Sequence, residues 1–133
     1  MGKISERYEG YLKGYSMNYE SRDQIEEKYR WDLSSMYESD EAFEQALVDL
    51  KTYPEQLAAY RGKISQSASE LLAYLRLEDH VTLEFEKAWN YAERRSDEDT
   101  RVSKYQAYTS RCMSLYTQLE EAGSWFNAEL LSI

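Results

Sequence analysis

One proline, Pro54, and five glycines are all the strong backbone breakers in 133 residues. That scarcity limits the fold more than any other feature. Tight hairpins need glycine, asparagine or proline at set turn positions, and little of that material is present. Long helices with short connections follow. The apolar residues repeat at the matching period of three and four.

Asp40 offers an N-cap carboxylate for a helix over 41–61 whose buried face carries Phe43, Leu47, Leu50, Leu57 and Tyr60. Pro54 interrupts it, since proline removes one internal hydrogen bond and crowds the preceding turn. Thr52 and Glu55 have capping-box spacing, which would divide the segment into two helices. The reading adopted is one kinked helix, stopped at Gly62. Ser67 and Glu70 form a second capping box, opening a helix over 68–95. Its apolar residues fall into two stripes, Leu71 with Leu75, then Leu77, Val81, Phe85, Ala88 and Ala92, which a helix touching neighbours on two sides, or one bent near Glu78, would explain. Ser96, Asp97, Glu98, Asp99 and Thr100 read as a polar turn whose carboxylates suit the positive end of the next helix. That helix, over 99–122, presents Val102, Tyr105, Tyr108, Cys112, Leu115, Leu119 and Ala122. The expected fold is all-α, a bundle of long antiparallel helices with an irregular N-terminal arm.

Residues 1–20 form that arm. Ile4, Tyr8, Tyr11, Leu12, Tyr15 and Tyr19 share a helical face, weakened by Gly10 and Gly14, and read as tyrosines that dock on the rest of the chain. Residues 21–133 are the helical domain, entered through an irregular stretch anchored by Trp31, Leu33, Met36 and Tyr37.

The net charge is −9, from 25 acidic and 16 basic residues. That sign repels phosphate backbones and anionic lipid, so neither nucleic acid nor a membrane surface is an expected partner. No run approaches the roughly 20 apolar residues a bilayer span requires, and the N-terminus lacks the apolar core of a secretory signal. The single cysteine, Cys112, suits a reducing compartment, and a cytoplasmic location is expected.

No active site emerges from these residues. His80 and Glu84 make an i, i+4 pair that could supply two metal ligands, but zinc needs a third and the chain has one histidine. Cys112 sits in an apolar stripe, where a thiol packs as a small hydrophobe. Asp97, Glu98 and Asp99 lack the central glycine and terminal glutamate of a calcium loop. No glycine-rich phosphate loop or G-x-S-x-G is present. Catalytic, cofactor-binding and metal-ligating residues are therefore assigned to none. The apolar tail, Trp125, Phe126, Leu130, Leu131 and Ile133, is the one candidate site. It is expected to be a docking surface at a cut in a longer polypeptide, or to pair two copies in a homodimer.

Tyr29, Arg30, Trp31, Asp32 and Leu33, then Met36, Tyr37 and the run Ser39, Asp40, Glu41, Ala42, Phe43, carry a resemblance. So do Tyr60, Arg61, Gly62 and Lys63 ahead of the Ser67 helix start, Tyr91 and Ala92, and Asp97 to Thr100 followed by Ser103, Lys104 and Tyr105. Arg111, Leu115, Tyr116 and Leu119 continue the series, with Trp125, Phe126 and the residues from Glu129 to Ile133. In this order they resemble the N-terminal domain of the oligoendopeptidase F family of zinc metallopeptidases, over residues 22–133. The resemblance implies a cytoplasmic parent enzyme that cleaves short peptides in a closed helical chamber. Its zinc would be held by an H-E-x-x-H helix in a C-terminal catalytic domain absent from this chain. The zinc would activate water and polarise the scissile carbonyl. This chain would wall the chamber without catalysing. The alternatives are a stand-alone acidic helical interaction module, or a small enzyme using tyrosines and carboxylates in a convergent cleft.

Overall fold

Ser39 starts the first helix, its Oγ accepting the Ala42 amide at 3.2 Å. In this computed structural model, which describes Glu26 and residues 32–133, Asp40 is thus the first helical residue of α1 (Asp40–Leu50) and not its cap. The expected arm over 1–20 and the Trp31 anchor lie outside the described residues. α1 buries Phe43, Leu47 and Leu50, one face at i, i+4, i+7.

The single kinked helix expected over 41–61 is two. α2 (Tyr53–Ala58) starts with Pro54 in its first turn, where a missing N–H costs nothing. The Thr52–Glu55 capping box does not form, because the Thr52 hydroxyl donates back to the Asp49 carbonyl at 2.7 Å. Gly62 ends the segment at φ +80°, a left-handed conformation that favours glycine.

Ser67 does cap α3 (Ala68–Glu98), accepting the Glu70 amide at 3.1 Å. The helix carries one apolar stripe, not two. Tyr74 is 1% exposed while Leu75 is 38% exposed, and Tyr74, Leu77, Val81, Phe85, Ala88 and Ala92 run at a regular three-to-four spacing into the core. α3 also runs to Glu98, past the expected end at residue 95. Arg95 reaches Glu98 one turn on at 3.5 Å, and the buried Ser96 stays on the core face. The turn is therefore shorter, held by Asp99, whose carboxylate accepts both the Arg101 amide at 3.0 Å and its guanidinium at 2.9 Å. Those acids close α3 and do not cap the next helix. α4 (Ser103–Gly123) begins at Val102 with no side-chain cap.

α3 and α4 are antiparallel. Arg95 lies over the Tyr105 ring, Phe85 meets Tyr116 and the Tyr74 hydroxyl lies beside Gly123, so contacts climb α4 as they descend α3. α5 (Phe126–Leu131) then folds back. Phe43 stacks on Tyr91 at 5.0 Å and meets Tyr108 at 4.4 Å, with Tyr37 edge-on to both Phe43 and Tyr91. Such aromatic pairs contribute about 0.5–1.5 kcal/mol each beyond their area. Among the described tyrosines, Tyr37, Tyr74, Tyr91 and Tyr108 are thus core. Among the described residues there is no strand, and no helix is long and apolar enough to cross a membrane.

Candidate functional site

Asp40 gathers four polar partners. Oδ1 accepts the Tyr91 hydroxyl at 2.6 Å and lies 3.4 Å from Arg95 Nη2. Oδ2 accepts Lys104 Nζ at 3.0 Å and the Tyr105 hydroxyl at 3.1 Å. Burial pushes this carboxyl up, but the hydrogen bonds from Tyr91 and Lys104 and the Arg95 charge outweigh it and hold the group below the usual carboxylate range. Tyr91 is pushed up to about 12, by burial first and then by its bond to Asp40. The cluster ties α1 to α3 and α4. Every group in it is satisfied by another. The chain's periodicity hides this, because Asp40 reads as a cap and tyrosines read as apolar.

The other polar candidates have structural partners. His80 is exposed on α3, its Nε2 3.0 Å from the Tyr53 hydroxyl, and the pair links α2 to α3. Cys112 is fully buried, and burial pushes its thiol up to about 11. Glu98 faces Arg95 and Asp99 binds Arg101, leaving no calcium loop. Among the described residues no group of three or more His, Cys, Asp or Glu side chains is placed to hold a metal.

The tail divides in two. Trp125 and Phe126 are half-buried against Tyr74, at 5.0 and 4.7 Å between ring centroids, and Trp125 Nε1 donates to the Ala122 carbonyl at 2.8 Å. Glu129 accepts the Gly62 amide at 2.8 Å, fastening α5 to the loop after α2. Leu131 and Ile133, by contrast, are 87% and 67% exposed, and Leu130 is 38% exposed.

A groove of about 530 Å³ runs between α3 and α4 and is closed at one end by α5. Leu57, Val81 and Leu119 lie at its base, and Tyr74, Phe85, Tyr116 and Phe126 supply aromatic walls. Glu78 and Glu86 come from α3 and Glu120 from α4, and no lysine or arginine among the described residues joins the lining. The Glu78 carboxyl is pushed up, by burial first and then by Asp79 and Glu120. Sequence reading places Phe85 and Tyr116 on separate helices and misses the groove. The Glu78, Thr82, Glu86 repeat beside an apolar stripe is the signal that could have found it.

No family model matches the chain. It is 32% identical over 114 residues to Group B oligopeptidase PepB of Streptococcus agalactiae, covering 86% of this chain and 19% of that protein. Oligopeptidase PepF of Bacillus subtilis is 33% identical over 112 residues, covering 84% of this chain and 17% of that protein. A crystal structure of oligoendopeptidase-F from Enterococcus faecium superimposes on 71% of this chain and 19% of that one, at TM-score 0.65 and 32% identity. Over most of its length the chain is homologous to a part of these peptidases. It spans under a fifth of the length of these relatives. The helical bundle is thus a fold shared with part of a solved oligoendopeptidase-F.

Proposed function

We propose that this chain is a non-catalytic helical domain of an oligoendopeptidase F-type enzyme, cytoplasmic and specific for short peptides, in which it walls the substrate chamber. The observation that carries this reading is the lopsided match, 84–86% of this chain against 17–19% of its relatives. A wall must be stiff, and the Asp40 cluster together with the Phe43, Tyr91 and Tyr108 packing suits that role. Zinc would belong to the rest of the enzyme. This chain's residues do not fit it, since His80 is engaged by Tyr53 and Cys112 is sealed in the core. Leu130, Leu131 and Ile133, beside Trp125 and Phe126, would dock on the catalytic portion. Burying such side chains contributes about 1.5–3 kcal/mol each.

The test is reconstitution with the remainder of Bacillus subtilis PepF, trimmed of the matching segment. The chain alone, with zinc added, should not hydrolyse a fluorogenic short peptide. Added to the remainder, it should bind and exclude large, unfolded protein substrates while sparing short peptides. Turnover by the chain alone, or size selectivity by the remainder without it, would overturn the reading. Self-association with no binding to the remainder would favour the stand-alone interaction module.

A further inference from the structure

We propose that the groove between α3 and α4 binds a basic segment of another polypeptide, in which two lysine or arginine residues four positions apart flank a central aromatic or branched aliphatic residue. Its apolar base and aromatic walls call for apolar side chains, and among the described residues its charges are the carboxylates of Glu78, Glu86 and Glu120. Glu78 and Glu86 are eight residues apart on α3, about 12 Å along the helix axis. Side chains four residues apart on an extended strand are separated by about 13 Å and point the same way. Two cations at that spacing match the two carboxylates.

The apolar residue midway between the two cations, on the same face of the strand, would meet Phe85 and Tyr116, whose rings are 5.4 Å apart. Glu120 faces the same space from α4, so a cation there is countered from both sides. The Glu78 carboxylate is held against burial and against two neighbouring acids, and an incoming ammonium or guanidinium group relieves both. Ring faces add cation–π attraction. The chain's charge of −9 draws such a segment in from a distance. Binding at this groove does not depend on the peptidase reading.

The experiment titrates the full chain, followed by amide NMR shifts. The probe is the acetylated, amidated nonapeptide Lys-Leu-Lys-Leu-Phe-Leu-Lys-Leu-Lys, in which the third and seventh residues flank the central Phe on one face. Shifts should concentrate on residues 74–86 and 116–127. Replacing every Lys of the probe with Glu should abolish them. Combining Glu78→Gln, Glu86→Gln and Glu120→Gln should weaken binding about tenfold, the sum expected of three partly exposed charge pairs. Glu41→Gln with Glu93→Gln and Asp97→Asn, an equal loss of charge outside the groove, should leave affinity within about twofold. Tyr116→Ser should weaken it severalfold with the fold intact, since Tyr116 is already 42% exposed. Equal weakening by both triple variants would show diffuse charge attraction and overturn the site. Spermidine binding as tightly as the peptide would overturn the apolar requirement, and an absence of shifts in the groove would overturn the proposal outright.

Discussion

The Tyr91 hydroxyl donates a 2.6 Å hydrogen bond to Asp40, 51 residues earlier in the chain. That bond joins the first turn of α1 to the last third of α3, and Arg95, Lys104 and Tyr105 close around the same carboxylate. Asp40→Ala should therefore cost about 2–3 kcal/mol, because it removes the acceptor of the Tyr91 and Tyr105 hydroxyls and leaves the half-buried Arg95 with Glu98 as its remaining carboxylate. Arg111→Ala, which breaks a bidentate but exposed pair with Glu44, should cost no more than about 1 kcal/mol. Urea unfolding of the two variants checks the order.

The same carboxylate sets an acid limit. Asp40 is held below its unfolded value, so its contribution is fully present above the ordinary carboxylate range. It is lost as pH falls through the lower, folded value. Stability should decline below about pH 4, and Asp40→Asn should flatten that decline. Thermal melts from about pH 7 down to about pH 2 span the window and measure it. Glu78 has the opposite sign, being raised in the fold. Its protonated form is favoured, and stability is lost as pH rises through the raised value. Glu78→Gln should then stabilise the protein near neutral pH and lose that advantage in acid.

Gly62 holds φ +80°, and a Cβ added there would meet nothing within 4 Å. Gly62→Ala should cost about 1–2 kcal/mol from backbone strain alone. Unchanged stability in denaturant would show that the loop relaxes to another conformation.

Cys112 should resist thiol reagents. The group is fully buried and pushed up to about 11, so little reactive thiolate exists at neutral pH. Labelling with a disulfide reagent in mildly alkaline buffer should proceed only as fast as the chain opens, and reach one thiol per chain in urea.

The two halves of the tail should behave differently. Trp125→Ser should cost about 2–4 kcal/mol, because its ring packs on Tyr74 and truncating such contacts is costly. Leu131→Ser with Ile133→Ser should leave stability within about 0.5 kcal/mol, since both are exposed, and should reduce any concentration-dependent dimer. Sedimentation at several concentrations, with parallel melts, separates the two effects.

A linear pattern expresses local relationships and little else. Ser67 and Gly62 are legible as a cap and a stop because both act on backbone within three residues. Asp40 reads falsely as a cap because its partners are 51 to 65 residues away. The groove is invisible for the same reason, needing Phe85 and Tyr116 to be known as neighbours. Tyr74 escapes notice because leaving tyrosine out of the apolar count on α3 splits one stripe into two, with Leu75 given the buried place that tyrosine holds.

What the chain's own residues determined is the all-helical class and the rough position of each long helix. Breaker scarcity and a three-to-four apolar repeat act through local backbone preference and need no distant contact. Tertiary structure alone decided whether Pro54 bends one helix or begins another, and how far α3 runs past Arg95. It also decided which tyrosines are core and where the carboxylates of Asp40, Glu78 and Asp99 find their neighbours. Those outcomes depend on burial and on charges brought together across helices. Burial and long-range pairing come into being only when the helices pack.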